Sequence, residues 1–439
     1  GNQDVVNQMF SDSINALTGE SSNPAAWDAI FRYFNNSRGK GSIGYTAGET
    51  IAVKINTVNT NFQNKSDGNI DASREMLLAL TEQLITQAGV SENNIVIYDA
   101  GYGTIGSYLV DAVLDLYPGI RFESKAPWGE IVMPQWVENG ITYSGYGDAV
   151  PAARRVVRSL YEADYLINLA NLKKHEHETA VTLCGKNHFG TMEDCSDLHT
   201  TINDYLNGMS TYNCLVDLLG HQEIGAKTLL FIIDGLWGAP GVLEAPIKWT
   251  IDPFVNDWPS SIFMSQDGVA IDSVGLDFLN AEWTLWDNAD NYLHEAAQAD
   301  NPPSGTFYDP ENDGTGLESL GVHEHWNNPD DKQYSRNLGT GNGIELFGIE
   351  SGPPPAPTDP PGYTPVPFGT PDPNGTLGDV NSDGLIDIVD ALLTAQYYVG
   401  LSPSGFNPAV SDTNCNGVTD IVDALLIAQF YVGLKISFC

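Results

Sequence analysis

Short apolar runs alternate with stretches of helical periodicity through the first 350 residues, and polar turn clusters separate them. Runs at 51–55, 94–98, 165–169, 228–233 and 261–264 read as strands. Between them, Trp27, Ile30, Phe31 and Phe34 fall on one face of a helix that Asn23 caps and Pro24 opens. Asp71 is expected to cap a long helix reaching Gln87, and another helix is expected over 269–279. This alternation predicts an α/β domain with a mainly parallel sheet and helices on both faces. From 287 to 350 the pattern dissolves into Asn, Asp, Gly and Pro and reads as surface loop.

At 351–376 the pattern stops, because ten of these 26 residues are Pro, with Gly interleaved. Proline fixes φ and removes hydrogen-bond donors, so this stretch reads as an extended spacer. It divides the chain into a body, 1–350, and a tail, 377–439.

The tail is an internal duplication. DVNSDGLIDIVDALLTAQYYVG at 379–400 recurs as DTNCNGVTDIVDALLIAQFYVG at 412–433, an offset of 33 residues. Each copy places oxygen side chains at loop positions 1, 3, 5, 9 and 12, with Gly at position 6 where the chain turns sharply. Calcium takes six to eight oxygens at flexible distances, and position 7 adds a backbone carbonyl. The first set is Asp379, Asn381, Asp383, Leu385 (carbonyl), Asp387 and Asp390; the second is Asp412, Asn414, Asn416, Val418 (carbonyl), Asp420 and Asp423. Two Ca²⁺ ions are expected, each beside an amphipathic helix in a small all-α unit. Asp309, Glu311, Asp313 and Gly314 start a third such loop, but Leu320 at position 12 leaves it degenerate.

On these loops, residues 377–439 resemble a dockerin domain, a tandem calcium module that docks extracellular proteins onto a partner called cohesin. The resemblance implies an extracellular, secreted or cell-surface chain, since calcium modules of this kind work at the millimolar calcium found outside cells. Positions 10 and 11 of each loop, which cohesin usually reads, are the apolar Ile388, Val389, Ile421 and Val422. Either these similar pairs allow docking in two orientations, or they are buried against their own chain. The partner is then a cohesin-like protein or another copy of the chain; in the second case head-to-tail contacts give rings or filaments.

Charge narrows the partners further. With 57 acidic and 19 basic residues the formal net charge is -38, which argues against nucleic acid, because phosphate binding needs clustered Lys and Arg. No apolar run approaches the roughly 18 residues of a membrane span. Cys184, Cys195, Cys214, Cys415 and Cys439 lack CxxC spacing. A Cys415–Cys439 bridge would fasten the C-terminus to the second calcium loop in an oxidising compartment. Acceptor triplets for glycans begin at Asn35, Asn64 and Asn374.

In the body, Lys54, Asn56, Asp99, Asn168 and Asp234 all fall at the carboxyl ends of expected strands, where parallel sheets collect ligands. Six basic residues, Arg154, Arg155, Arg158, Lys173, Lys174 and Lys186, lie within 33 positions and could line a local positive pocket for a carboxylate or phosphate. His175, His177 and His188 add acid–base groups or metal ligands. Lys54, Asn56, Asn168, Asn187 and Asp234 are the candidate ligand-binding residues, and Lys173, His175 and Lys186 the candidate catalytic ones. Gly101, Gly103 and Gly106 form a GxGxxG run after a strand, with Glu123 further on, but Asp99 would repel a pyrophosphate there, so a tight turn is expected. His323-Glu324-His325 would chelate zinc or copper if it lay in a strand; in a segment read as surface loop it counts as a chance pairing.

Several of these stretches resemble the domain-of-unknown-function family 362 over most of 25–282. They are Lys54 and Asn56 after a strand, the run from Asn168 to Gly190, Asp234-Gly235, and QDGVAID at 266–272. The family's Lys-x-His and Lys-Asn-x-x-Gly elements fall on Lys173, His175, Lys186, Asn187 and Gly190, while its usual Pro and Lys are Ala170 and Asn171 here. The resemblance implies a fold and a site position, not an activity. The expected function is therefore a calcium-dependent docking subunit of an extracellular assembly; a secreted enzyme or a binding protein for an anion, sugar or metal, tethered by its tail, is the alternative.

Overall fold

A computed structural model describes residues 2–60, 68–101, 103–145, 153–175, 180–202, 208–350, 376–399, 401, 403, 405–431 and 437–438. The chain forms two compact units, Gly1–Pro354 and Pro355–Cys439. The expected spacer lies outside the described residues apart from Thr376.

The first unit is α/β. Its strands in chain order are β1 (Ile51–Lys54), β2 (Ile95–Asp99), β3 (Arg121–Ser124), β4 (Ile131–Val132), β5 (Trp136–Thr142), β6 (Ala153–Val157), β7 (Tyr165–Lys174), β8 (Val181–Thr182), β9 (Thr228–Ala239) and β10 (Ser261–Ser265). The main sheet runs β10-β9-β7-β1-β2-β3-β4, with β8 added to β7, while β5 and β6 pair as a separate ribbon. The pairs β1/β2, β1/β7, β2/β3, β3/β4 and β7/β9 are parallel; β10/β9 and β7/β8 are antiparallel. From β1 the chain first builds outward through β2, β3 and β4, then returns to add β7 on the other side. The boundary between β1 and β7 is thus a switch point, where flanking connections diverge and leave a crevice.

The helices of this unit are α1 (Gln3–Thr18), α2 (Asn23–Ser37), α3 (Arg74–Glu82), α4 (Ser107–Leu114), α5 (Arg158–Tyr161), α6 (Cys184–Asn187), α7 (Cys214–Gly220), α8 (Gly268–Glu282) and α9 (Asn291–Ala297). Two apolar clusters form, one containing Phe10, Trp27, Val53 and Leu80 and the other containing Tyr98, Leu183, Phe231 and Leu293. In α2, Trp27, Ile30, Phe31 and Phe34 are buried together as their spacing predicts, although the helix begins at Asn23 with Ser22 before it. Among the described residues no helix is long and apolar enough to cross a membrane.

Three expectations need correction. Ser73, not Asp71, caps α3, accepting from the Met76 amide at 3.3 Å. The Asp71 carboxylate instead takes the Asn59 amide (2.9 Å) and the Thr60 hydroxyl (2.7 Å). Strands β7 and β9 run well past their predicted ends because Asn171 pairs with Asp234 and Lys173 with Ala239. Polar residues there disguised the strands. Residues 287–350 are not a surface loop: they contain α9 and send Tyr308, Tyr334 and Ile344 into the core.

The second unit contains α10 (Ile388–Tyr398) and α11 (Ile421–Tyr431) around a small core of Val380, Ala391, Val410 and Ile427. Asp387 and Asp390 form a capping box at the start of α10, which rests the helix directly on its loop.

Candidate functional site

At the carboxyl ends of β1 and β2, beside the switch point, the body holds a cavity of about 70 Å³, room for a few waters or one small anion. Lys54, Asn56, Asp99, His175, Lys186, Asn187 and His199 are among its lining. Lys54 ends β1 with its side chain almost fully buried, 3.4 Å from Asp99 Oδ1. Its ammonium also donates to the Ile55 carbonyl and to Asn187 Oδ1 at 3.2 Å. Burial pushes the Lys54 pKa down, and Asp99 opposes that shift. Asp99 is held in turn by the Thr57 amide at 2.8 Å and the Thr57 hydroxyl at 3.2 Å.

Asn187 organises the floor. Its amide nitrogen donates to Asn168 Oδ1 at 2.8 Å and the Leu169 carbonyl at 3.2 Å, while its oxygen accepts from Lys54 and, at 3.4 Å, from Asn56. It is positioned by α6, whose first amides, Cys184 and Gly185, are each capped at 2.8 Å by Asp272 of α8. Gly190 follows closely, and only Gly fits there, because a Cβ would fall 2.1 Å from Asp99 Oδ1 and 2.5 Å from Lys54 Nζ.

Lys186 lies 3.0 Å from His199 Nε2 and 3.5 Å above the Phe189 ring. His199 Nδ1 donates to the Ser196 carbonyl at 3.1 Å, so Nε2 is the acceptor facing Lys186. Burial and the Lys186 charge push the His199 pKa down to about 4. His188, fully buried, is pushed down to about 3 by burial and by Lys54. Both rings are therefore neutral near pH 7, and the lysines facing the cavity are Lys54 and Lys186.

The predicted residues separate into lining and support. Lys54, Asn56, His175, Lys186 and Asn187 face the cavity. Lys173 stands behind it, donating to Asn56 Oδ1 at 3.1 Å and the Ile70 carbonyl at 3.4 Å. Asn168 braces Asn187 and donates to the Cys184 carbonyl at 3.0 Å. Asp234 serves elsewhere: it accepts from the Ser73 hydroxyl at 2.6 Å and the Leu236 amide at 3.2 Å, fixing the start of α3. The three arginines do not reach the cavity either, since Arg154 pairs with Asp197, Arg155 with Glu193, and Arg158 with Glu162 at 2.8 Å. His199 and Thr182 were not candidates from sequence, because neither falls at an expected strand end. His177 lies outside the described residues.

The glycine run is a turn between β2 and α4. A Cβ on Gly103 would meet the Thr57 carbonyl at 2.7 Å, and Glu123 is occupied by the Ser159 hydroxyl (2.5 Å) and Arg121 (2.9 Å). Asn35 is fully buried and donates to the Tyr165 hydroxyl at 3.0 Å, which excludes a glycan there in the folded protein; Asn64 and Asn374 lie outside the described residues. Cys184 and Cys214 are buried free thiols whose pKa values burial raises, so both are inert.

In the second unit the two loops repeat one geometry. Asp379 accepts from the Asp383 and Gly384 amides at 3.1 and 3.0 Å; Asp412 accepts from Asn416 and Gly417 at 3.1 and 2.7 Å. Gly384 and Gly417 adopt φ of 91° and 89°, the left-handed turn that position 6 requires. Asp390 and Asp423, at position 12, are fully buried and fold back to the Asp387 and Asp420 amides, each at 2.9 Å. Every candidate side-chain ligand thus stands on a loop whose backbone is already tied into a ring.

Residues 127–277 match the family model of a domain of unknown function, DUF362, and residues 377–430 match that of the dockerin type I domain. The chain joins a DUF362 region to a dockerin. No curated protein matches the chain. The DUF362 match contains Lys186, Asn187 and Asp272 but begins after Lys54 and Asn56, so it is narrower than the resemblance over 25–282. Dockerin domains bind calcium through such loops and dock onto cohesins, and they occur in extracellular cellulosome components; calcium-dependent protein–protein docking is therefore the function of this tail.

On the dockerin, Ile388, Val389, Ile421 and Val422 are 45–52% exposed, as are Leu392 and Leu425 at 56% and 55%. Each calcium loop therefore carries one exposed aliphatic trio at the start of its helix.

Proposed function

We propose that this protein is a secreted subunit of an extracellular assembly, docked through its dockerin with one Ca²⁺ in each loop. The observation that carries this reading is the duplicated aliphatic trio, Ile388/Val389/Leu392 and Ile421/Val422/Leu425, presented to solvent beside each loop. Exposed apolar clusters of this kind mark interaction surfaces, and two equivalent ones permit one partner to be engaged in either of two orientations. The partner is a cohesin-like domain or a second copy of the chain, the latter giving head-to-tail rings or filaments. A Cys415–Cys439 bridge would hold the C-terminus on the second loop in an oxidising compartment; Cys439 lies outside the described residues.

Light scattering on the size-separated full chain tests this, alone and with a cohesin domain, in millimolar calcium and in chelator. Complex or polymer should form in calcium only and be lost in the double variant Ile388→Ser/Ile421→Ser. A monomer that binds no cohesin in calcium, or an assembly indifferent to both treatments, would overturn it.

A second reading concerns the body, where buried Lys54 and Lys186 face a small cavity beside the neutral His199. This arrangement suits one small anion, a carboxylate or phosphate, with His175, Lys186 and supporting Lys173 available for proton transfer if the bound group reacts. Phosphate or acetate titrated into the full chain should bind, and Lys186→Met should abolish binding. Equal affinity in that variant would remove the reading.

A further inference from the structure

We propose that Asp290, His294, His323 and His325 form a zinc site, separate from both the cavity and the calcium loops. One donor atom from each lies within 4.8 Å of all the others. The carboxylate oxygen Asp290 Oδ2 is 3.2 Å from His294 Nε2, 3.1 Å from His325 Nε2 and 3.8 Å from His323 Nε2. Four ligands about 2.0–2.1 Å from one ion at tetrahedral angles stand about 3.3 Å apart. The observed separations bracket that edge.

The surrounding hydrogen bonds fix which nitrogens face inward. Ser273 on α8 has a single hydroxyl proton, which it donates to the Val269 carbonyl at 2.7 Å. Its oxygen therefore accepts from His323 Nδ1–H at 2.8 Å, which leaves the lone pair of His323 Nε2 aimed at Asp290. That side chain is 3% exposed, and its Nε2 has no hydrogen-bond partner; Asp290 Oδ1 is likewise buried and unpartnered. A bare imidazole lone pair facing a carboxylate repels it, and a cation between them reverses the sign. His325 is held from the other side, with Nδ1 2.6 Å from Asp277 Oδ1 and Nε2 turned to Asp290 Oδ2 at 3.1 Å, where a shared ion would replace that hydrogen bond. A carboxylate behind a ligating histidine orients the ring and raises its basicity.

The fold holds these groups in place. Asp290 and His294 are one helical turn apart at the start of α9, and the segment bearing His323 and His325 is pinned to α8 at both ends. Val322 donates its amide to Asp267 at 2.9 Å, and Trp326 donates its amide to Asp277 at 3.0 Å. Three imidazole nitrogens and one carboxylate, all from the protein, make a closed four-ligand site of the structural kind, and nitrogen donors disfavour calcium. Zinc here would cross-link α8, α9 and the irregular segment that follows them.

The full chain is dialysed against Zn²⁺ in millimolar calcium, which keeps the dockerin loops occupied, and metal is counted by elemental analysis. Wild type should retain one zinc per chain, and His294→Gln and His325→Gln should each weaken it by about 100-fold or more, with Asp277→Asn nearer 10-fold. Both replaced histidines are at least a third exposed, so the variants should fold, as tryptophan fluorescence will report. Cobalt in place of zinc should give the intense visible bands of a four-coordinate ion. Wild type that retains no more zinc than the His294→Gln/His325→Gln double variant, or a faint six-coordinate cobalt spectrum, would overturn the assignment.

Discussion

The body and the tail handle carboxylates in opposite ways. In the body, Asp217 and Asp272 are buried among hydrogen-bond donors, and burial raises their pKa values to about 7 and about 6. They act as acceptors that fasten loops: Asp217 takes the Ser144 hydroxyl at 2.5 Å and the Tyr212 hydroxyl at 2.6 Å, and Asp272 caps α6. Two large apolar clusters carry the cost of such groups. Among its described residues the tail has four buried hydrophobic residues in its core and two rings of carboxylates and amides around them. A core that small cannot offset the chain entropy of some sixty residues, so an ion must supply the difference. One unit thus folds by excluding water from apolar surface, and the other by gathering charge around calcium.

The sharpest way to break this contrast is to remove the position-12 ligands. Asp390→Ala/Asp423→Ala deletes both buried carboxylates and, in the first loop alone, strands the Val380, Asn381 and Asp387 amides that Asp390 accepts. Each lost charge-assisted bond costs about 1.5–3 kcal/mol, so the tail should fail to fold at any calcium level, as calorimetry would show by the absence of binding heat. Body unfolding should be unchanged. All nine tryptophans precede residue 351, so their fluorescence reads the body alone.

In the body, Lys54→Met leaves Asp99 buried without its cation and should cost about 3–5 kcal/mol in a denaturant melt. Tail helicity should not respond. Next comes pH. Asp217 has a folded pKa above its ordinary value, so the folded body binds more protons than the unfolded chain between about pH 4 and 7. Its contribution is fully present below pH 4 and is lost as pH rises through about 7. Chemical denaturation across that range should show wild type losing stability relative to Asp217→Asn, by up to about 4 kcal/mol. The smallest effect belongs to the docking face: Ile388→Ser/Ile421→Ser should shift tail stability by no more than about 0.5 kcal/mol in a calcium-saturated thermal melt while abolishing partner binding.

How much of this was legible from sequence follows the same division. The tail's sites are local: twelve consecutive residues hold each set of ligands, so spacing alone reveals them. The body's cavity is assembled from β1, β2 and the segment around α6; strand-end logic located Lys54, Asn56 and Asp99 because parallel sheets align their carboxyl ends, and the Lys-Asn-x-x-Gly resemblance located Asn187. That logic overreached at Asp234, whose strand continues to Ala239 and whose carboxylate turns to α3 instead. It missed His199, which reaches Lys186 from a short 3-10 helix over Asp197–Thr201 that carries no strand end. The histidine cluster was hidden for a related reason, since Asp290 and His294 are some thirty residues from His323 and only packing on α8 unites them. Periodicity is silent in such segments, although their buried Tyr308 and Tyr334 show that they belong to the core.

The central claim is that calcium orders the docking unit independently of the body. Calcium titrated into the stripped full chain, with far-UV circular dichroism and tryptophan fluorescence recorded together, tests it most directly. The account predicts a gain of helical signal that saturates at two equivalents while tryptophan emission stays constant. A helical signal already complete without calcium would contradict it.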